Sequence, residues 1–408
     1  MSDSLNESAN TSANASADES VIDLDRQGEG FVSDPYPFYS GLRARGPVHR
    51  VRSAELGEQW LIVGHEEARA ALADPRLSKD PAKAGAPSSD DAVARHLLTM
   101  DPPDHTRLRA LVEREFTAAR AEEMRAGVQR IADELLDAML PAGRGDLVDA
   151  FALPLPAVVI CELLGVPAAD RDRFRAWTAS MTAPDSESAM ATAFAELGAY
   201  IAELVAEKGR APGDDLISAL LDPPAEQDDR LTPGELISLV FLLILAGFET
   251  TAHLISNAVR TLLLNPGQLA ELRADFSLLD NAVDEVMRYE GPVEATTFRV
   301  AVEAIEVGPV TIEAGSLVKI SLPAVNRDER RFADPDRFDI HRPAGGHLSF
   351  GHGIHHCLGA PLARLEARIA LRSLLERAPG LALDGDPEKH EWIPGLLVRG
   401  VRSLPVTF

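Results

Sequence analysis

Cysteine is nearly absent. Only Cys161 and Cys357 occur among 408 residues, in unrelated contexts, so no disulfide framework is indicated and a reducing cytoplasm is the natural compartment. Basic charge is scarce as well: 40 Lys and Arg stand against 64 Asp and Glu, a formal net charge of -24. That balance argues against a nucleic-acid or anionic-membrane partner, because phosphate surfaces repel carboxylates. The first twenty residues have no apolar stretch and are rich in Ser, Asn, Ala and acidic residues. They read as a disordered polar tail, residues 1–20, unlike a signal peptide, transit peptide or membrane anchor.

What is present is apolar substance: 45% of the residues are hydrophobic, enough for a core that can enclose a planar cofactor. Asp34-Pro35-Tyr36-Pro37 opens a helix, and Pro47–Val51 and Trp60–Val63 predict short strands around a polar turn. From about Ala92 to Leu278 helical periodicity dominates, as in Val128, Ile131, Leu135, Leu136 and Met139. A second strand-rich part runs from Phe298 to Leu322, punctuated by Gly308 and Gly315. No repeat or linker divides these parts. The expectation is one domain over residues 21–408, mainly α with small β-sheets. Asp80–Asp91, rich in Pro, Ala, Gly and Ser, predicts a mobile loop and a candidate lid.

Thr232-Pro233-Gly234-Glu235 supplies an N-cap, a first-turn proline and a capping-box glutamate. The helix it starts can run to about Leu264, before Asn265-Pro266, spanning roughly 48 Å. Its apolar centre, Leu239–Phe248, is too short to cross a bilayer.

The two cysteines differ. Cys161 lies in the apolar run Val158–Leu164 and reads as a small core hydrophobe. Cys357 lies in a glycine-rich loop from Phe350 to Pro361, just before a helix carrying Leu365, Ile369 and Leu374. Helix N-terminal N–H groups favour a thiolate there, and a thiolate bound to iron promotes cleavage of the oxygen-oxygen bond. A buried cysteine in a plain turn is the bland alternative. Zinc held by His352, His355, His356 and Cys357 is another, disfavoured because the four are crowded and no second ligand pair follows.

Phe-Gly-x-Gly-x-His-x-Cys-x-Gly, matched from Phe350 to Gly359, resembles the heme-binding signature of the cytochrome P-450 family. Asp334-Pro335-Asp336-Arg337-Phe338 resembles the family segment before it. The resemblance implies a mostly helical domain with heme b, iron protoporphyrin IX, between the long central helix and the cysteine loop. Cys357 would be the axial ligand of the iron, with Phe350, Gly351 and Gly359 shaping its loop. In Ala246-Gly247-Phe248-Glu249-Thr250-Thr251, Ala246 and Gly247 would leave room for dioxygen, and Glu249 and Thr250 would serve as the acid-alcohol pair that relays protons. Glu285 and Arg288 match the Glu-x-x-Arg element that braces the cysteine loop, where a bare surface ion pair is the alternative. His105, Arg109, Arg299 and His355 would hold the two heme propionates, His355 being preferred to His356. Arg107 would point elsewhere, into solvent.

The implied activity is a monooxygenase that hydroxylates or epoxidises an apolar small molecule. The run Arg288–Glu294 most resembles actinobacterial enzymes acting on macrolides and other secondary metabolites. Pocket walls are expected from Asp80–Asp91, Met181–Phe194, Val293–Thr297 and Trp392–Val398, with Val293 and Leu397 as named candidates. Since neither a flavin or nicotinamide domain nor an anchor is visible, electrons are expected from a soluble ferredoxin and an NAD(P)H-linked ferredoxin reductase, with the enzyme a cytoplasmic monomer. Arg364, Arg368 and Arg372 form a stripe that can receive an acidic ferredoxin or be consumed by local pairs involving Glu366 or Glu376. A peroxide-driven peroxygenase and a heme gas sensor are the rival functions.

Overall fold

Thr232 Oγ1 accepts the Glu235 N–H, while the Glu235 carboxylate accepts the Thr232 N–H at 2.8 Å. This reciprocal cap starts the helix Pro233–Gly247, with Pro233 in its first turn. The computed structural model describes residues 21–54, 56–85, 95–182, 186–222, 229–395 and 397–408. The expected tail and residues 86–91 of the expected lid lie outside them. The first part of that lid is a turn, Pro81–Ala84, capped by the Asp80 carboxylate.

The long helix differs from the expected continuous rod. It breaks at Phe248, with φ -112° and ψ -41°, and resumes as Glu249–Leu264. Thr250 Oγ1 donates to the Ala246 carbonyl at 3.0 Å, and Thr251 Oγ1 to that of Gly247 at 3.5 Å. Side-chain hydroxyls bonded to these carbonyls compete with the backbone ladder, which loosens where the site needs space. By length and hydropathy the whole stretch 233–264 could cross a membrane. Its packing against the helices Pro154–Leu164 and Ala360–Arg377 supplies the apolar surroundings instead.

The strands predicted near the two ends of the chain form one sheet. Its order is Ile22–Asp23, Val48–Ser53, Gly57–Ile62, Leu317–Ile320, Arg299–Ala301 and Leu77–Ser78. Trp60 pairs with Val318 in parallel register, and Ser78 with Val300 in antiparallel register. The remaining sheets are small: Ile305–Val307 with Val310–Ile312, and a three-stranded one at Arg144–Asp146. One apolar core surrounds Leu254–Leu262 and the Ala360–Arg377 helix. A second surrounds Leu236–Phe248 and includes Cys161, whose thiol burial pushes up to about 12. Cys161 is therefore the inert core residue expected of it.

Candidate active site

A cavity of about 340 Å³ lies between the break in the long helix and the Cys357 loop. The loop is shaped by short backbone bonds: Gly351 N–H donates to the Leu348 carbonyl at 2.8 Å, and Cys357 N–H to that of Phe350 at 2.8 Å. Gly351 has φ +73°, a conformation open to glycine and strained for other residues. Cys357 thus stands immediately before the helix Ala360–Arg377, with Pro361 in the first turn.

The Cys357 side chain opens onto the cavity yet lies deep inside the molecule. Burial pushes its thiol up, against the N–H groups of Gly359 and Ala360 and the charges of Arg109 and Arg364. The N–H groups at the helix start favour a thiolate, as expected, while desolvation opposes it. A coordinating metal deprotonates such a thiol outright.

One end of the cavity is cationic. His105 and Arg109 project from the helix Asp104–Val112, Arg299 from its strand, and His355 from the cysteine loop. The rings of His105 and His355 are 4.3 Å apart between centroids. Burial, with help from His105 and Arg299, pushes His355 down to about 3, and burial lowers His105. Both imidazoles can serve as hydrogen-bond donors beside the two guanidinium groups. Arg299, though lowered by burial to about 10, stays charged at neutral pH. Among the described residues, His105 Nδ1 and Arg299 Nη1 are buried and have no partner. These unused donors, a cysteine sulfur and a glycine-lined loop fit a flat iron cofactor bearing two carboxylates.

The opposite wall comes from the long helix. Ala246, Gly247, Thr250 and Thr251 line the cavity with Leu239, Leu242 and Leu243. Glu249 sits behind this wall. Burial raises its carboxyl, and its Oε1 is 4.0 Å from His253 Nε2. His253, pushed down by burial to about 4, fits against Gly400, where a Cβ would meet its Nδ1 at 2.2 Å. Val293 and Leu397 both line the cavity, from segments joined by the bridge Val293↔Val398 and by Glu294 N–H to the Leu397 carbonyl at 2.9 Å. Among the described residues of 181–194 none lines it, and Phe194 packs against Phe241 instead.

Glu285 and Arg288 are fully buried, not a surface pair. Arg288 also donates to the carbonyls of Asn326, Pro335 and Arg337, while Glu285 accepts from Asp339 N–H and Arg342. Asn326 then holds Leu348 N–H at 2.7 Å and Ser349 Oγ at 2.7 Å, just before Phe350. The pair reaches the cysteine loop through this chain of bonds.

Two cavity residues escaped sequence reasoning. Glu366 was read as a partner for surface arginines, but it is buried and pushed up to about 8, and its Oε2 has no partner among the described residues. Its spacing from Leu362 and Ile369 puts it on the apolar face, a signal that could have found it. Lys79 is also buried in the wall, and no local pattern marks it. The arginine stripe is largely consumed: Arg364 pairs with Asp284 at 2.8 Å, Arg368 with Asp280 and Arg372 with Glu376. Arg107, expected in solvent, pairs with Glu235 and Asp229.

A cytochrome P450 family model matches residues 174–378. Cytochrome P450 monooxygenase PikC of Streptomyces venezuelae is 51% identical over 390 residues, covering 95% of this chain and 94% of that protein. The 6-deoxyerythronolide B hydroxylase of Saccharopolyspora erythraea is 45% identical over 94% of this chain and 98% of its own. The ligand-free P450 monooxygenase TamI superposes with a TM-score of 0.88 at 44% identity, covering 96% of this chain and 94% of that one. The chain belongs to the cytochrome P450 family. It is a heme b monooxygenase of the heme-thiolate class, acting on a small molecule with dioxygen and electrons from redox partners.

Proposed function

We propose that this enzyme hydroxylates or epoxidises a macrolide or a similar apolar secondary metabolite. The observation that carries the reading is the cavity wall facing Cys357, made of leucines and small residues around the hydroxyls of Thr250 and Thr251. Such a wall recognises shape and apolar surface and leaves few polar constraints on the reacting carbon. PikC, 6-deoxyerythronolide B hydroxylase and a Micromonospora griseorubida enzyme called mycinamicin IV hydroxylase/epoxidase support the class.

In this reading Cys357 would ligate the heme iron, and Arg109 and Arg299 would balance the propionates while His105 and His355 donate hydrogen bonds to them. Bound heme supplies dioxygen activation and one-electron chemistry. Ala246 and Gly247 keep the wall low, so a small molecule fits beside it. Thr250 Oγ1, anchored to the Ala246 carbonyl, keeps its lone pairs for a cavity-side proton donor. Glu249, raised by burial, holds a proton more readily than an exposed carboxylate, which suits a proton relay. Glu285 and Arg288 keep the cysteine loop in place. Residues 21–408 act as one catalytic domain, a cytoplasmic monomer reduced by a ferredoxin and its NAD(P)H-linked reductase.

Adding candidate macrolides to the ferric enzyme tests the substrate class. A spin-state shift, followed by a product heavier by one oxygen atom with ferredoxin, reductase and NAD(P)H, is expected. Turnover with peroxide alone and none with any ferredoxin would replace this reading with a peroxygenase.

A further inference from the structure

Lys79 is 3% exposed, and a buried ammonium is costly without a counter-charge. Its Nζ donates to Thr297 Oγ1 and, at 3.0 Å, to the Phe298 carbonyl, both neutral. The neighbouring carboxylate, Asp101, is committed elsewhere: Oδ1 accepts the Lys79 backbone N–H at 2.9 Å, and Oδ2 holds Lys83 at 2.7 Å and the Ser78 hydroxyl. One of the three N–H donors of Lys79 is therefore unassigned among the described residues.

The strand register sharpens this. Leu77 pairs with Ala301 and Ser78 with Val300, where the ladder ends; Lys79 and Arg299 are the next residue on each strand and lie close enough for the Arg299 charge to act on Lys79. Neighbouring like charges repel, and both line the cavity, Arg299 at 4% exposure with Nη1 lacking a partner among the described residues. Burial and the charge of Arg299 push Lys79 well below the usual lysine range. An anion between the two relieves the repulsion and the desolvation together.

We propose that Lys79 and Arg299 share one heme propionate, which makes Lys79 a cofactor-positioning residue. This rests on heme lying with its carboxylates toward Arg299. The third N–H of Lys79 then meets the carboxylate, while Thr297 and Phe298 orient the ammonium.

The test uses heme-loaded Lys79→Met and Lys79→Arg, with Lys79→Gln in place of the first if Met unfolds the chain. Heme transfer to excess apomyoglobin and the heme midpoint potential are measured. Loss of one charge-assisted bond predicts heme release about tenfold faster in Lys79→Met and a more negative potential, with Lys79→Arg close to the parent. The reduced carbon-monoxide spectrum should keep its thiolate band in all variants, so a fault in the Cys357 reading would show separately. Parent-like heme release and potential in Lys79→Met overturn the proposal, as does equal loss in Met and Arg variants, which points to packing instead of charge.

Discussion

Arg288 grips the Glu285 carboxylate with two N–H bonds, of 2.7 and 2.9 Å, and neither side chain reaches solvent. Removing one partner strands a buried charge, which costs about 3–5 kcal/mol. Glu285→Ala should therefore lower the melting temperature sharply and yield chain that does not retain heme. Heme content per folded protein, read by absorbance against circular dichroism, checks this; a Glu285→Ala protein with full heme would refute it.

Cys357→Ser should abolish the red-shifted Soret band of the reduced carbon-monoxide complex, because an alcohol is a poor substitute for a thiolate on iron. Arg109 and Arg299 are untouched by this change, so heme can still associate. Retention of the band would remove Cys357 as the axial ligand.

Thr250→Ala removes the hydroxyl and its bond to the Ala246 carbonyl. Electron consumption should continue while product per NAD(P)H falls, by up to roughly 10²-fold, the low end of general acid-base contributions. Thr250→Ser should restore coupling. Oxygen uptake, peroxide release and product measured side by side decide the matter.

Glu366 links stability to pH. Burial raises its carboxyl from an ordinary 4.5 to about 8, so the folded protein keeps a proton that the unfolded chain gives up. The stabilisation is complete below about 4.5 and fades as pH rises through about 8, by an amount on the order of a few kcal/mol. Glu366→Gln should flatten this decline and raise the melting temperature relative to the parent at pH 8 and above. Parallel melting curves of the two proteins across pH 5–9 would contradict it.

Arg364 already pairs with Asp284 and lies over the Phe350 ring, 4.3 Å from its centroid. Arg364→Glu sets a carboxylate against Asp284 and reverses a charge on the Arg364, Arg368 and Arg372 stripe, which could still receive a ferredoxin although its members have local partners. Reduction by ferredoxin should slow steeply at low salt and converge with the parent at high salt. Equal rates at low salt would discard the docking role.

Much of the site is short-range and legible in the chain. The spacing from Phe350 to Gly359 places glycines, a histidine and a cysteine on one tight loop, and the capping box at Thr232 is visible in four residues. The i, i+4 relation of His105 and Arg109 likewise needs only a helix. Strand pairing was not legible, because Leu77–Ser78 meets Arg299–Ala301 across more than two hundred residues and neither segment carries its partner's address. The start of the long helix was readable from its cap, whereas the break at Phe248 was not, since no proline marks it.

The sequence by itself determined the mostly helical class and singled out the Cys357 loop and the Ala246–Thr251 stretch, since each depends on residues a few positions apart. Proton affinity was decided by tertiary structure: burial lowers that of His355 and raises those of Glu366 and the Cys357 thiol. The approach of Lys79 to Arg299 arises the same way, from the pairing of the strands that precede and follow them. Desolvation and long-range pairing depend on what surrounds a group in space, and a linear chain does not state its surroundings.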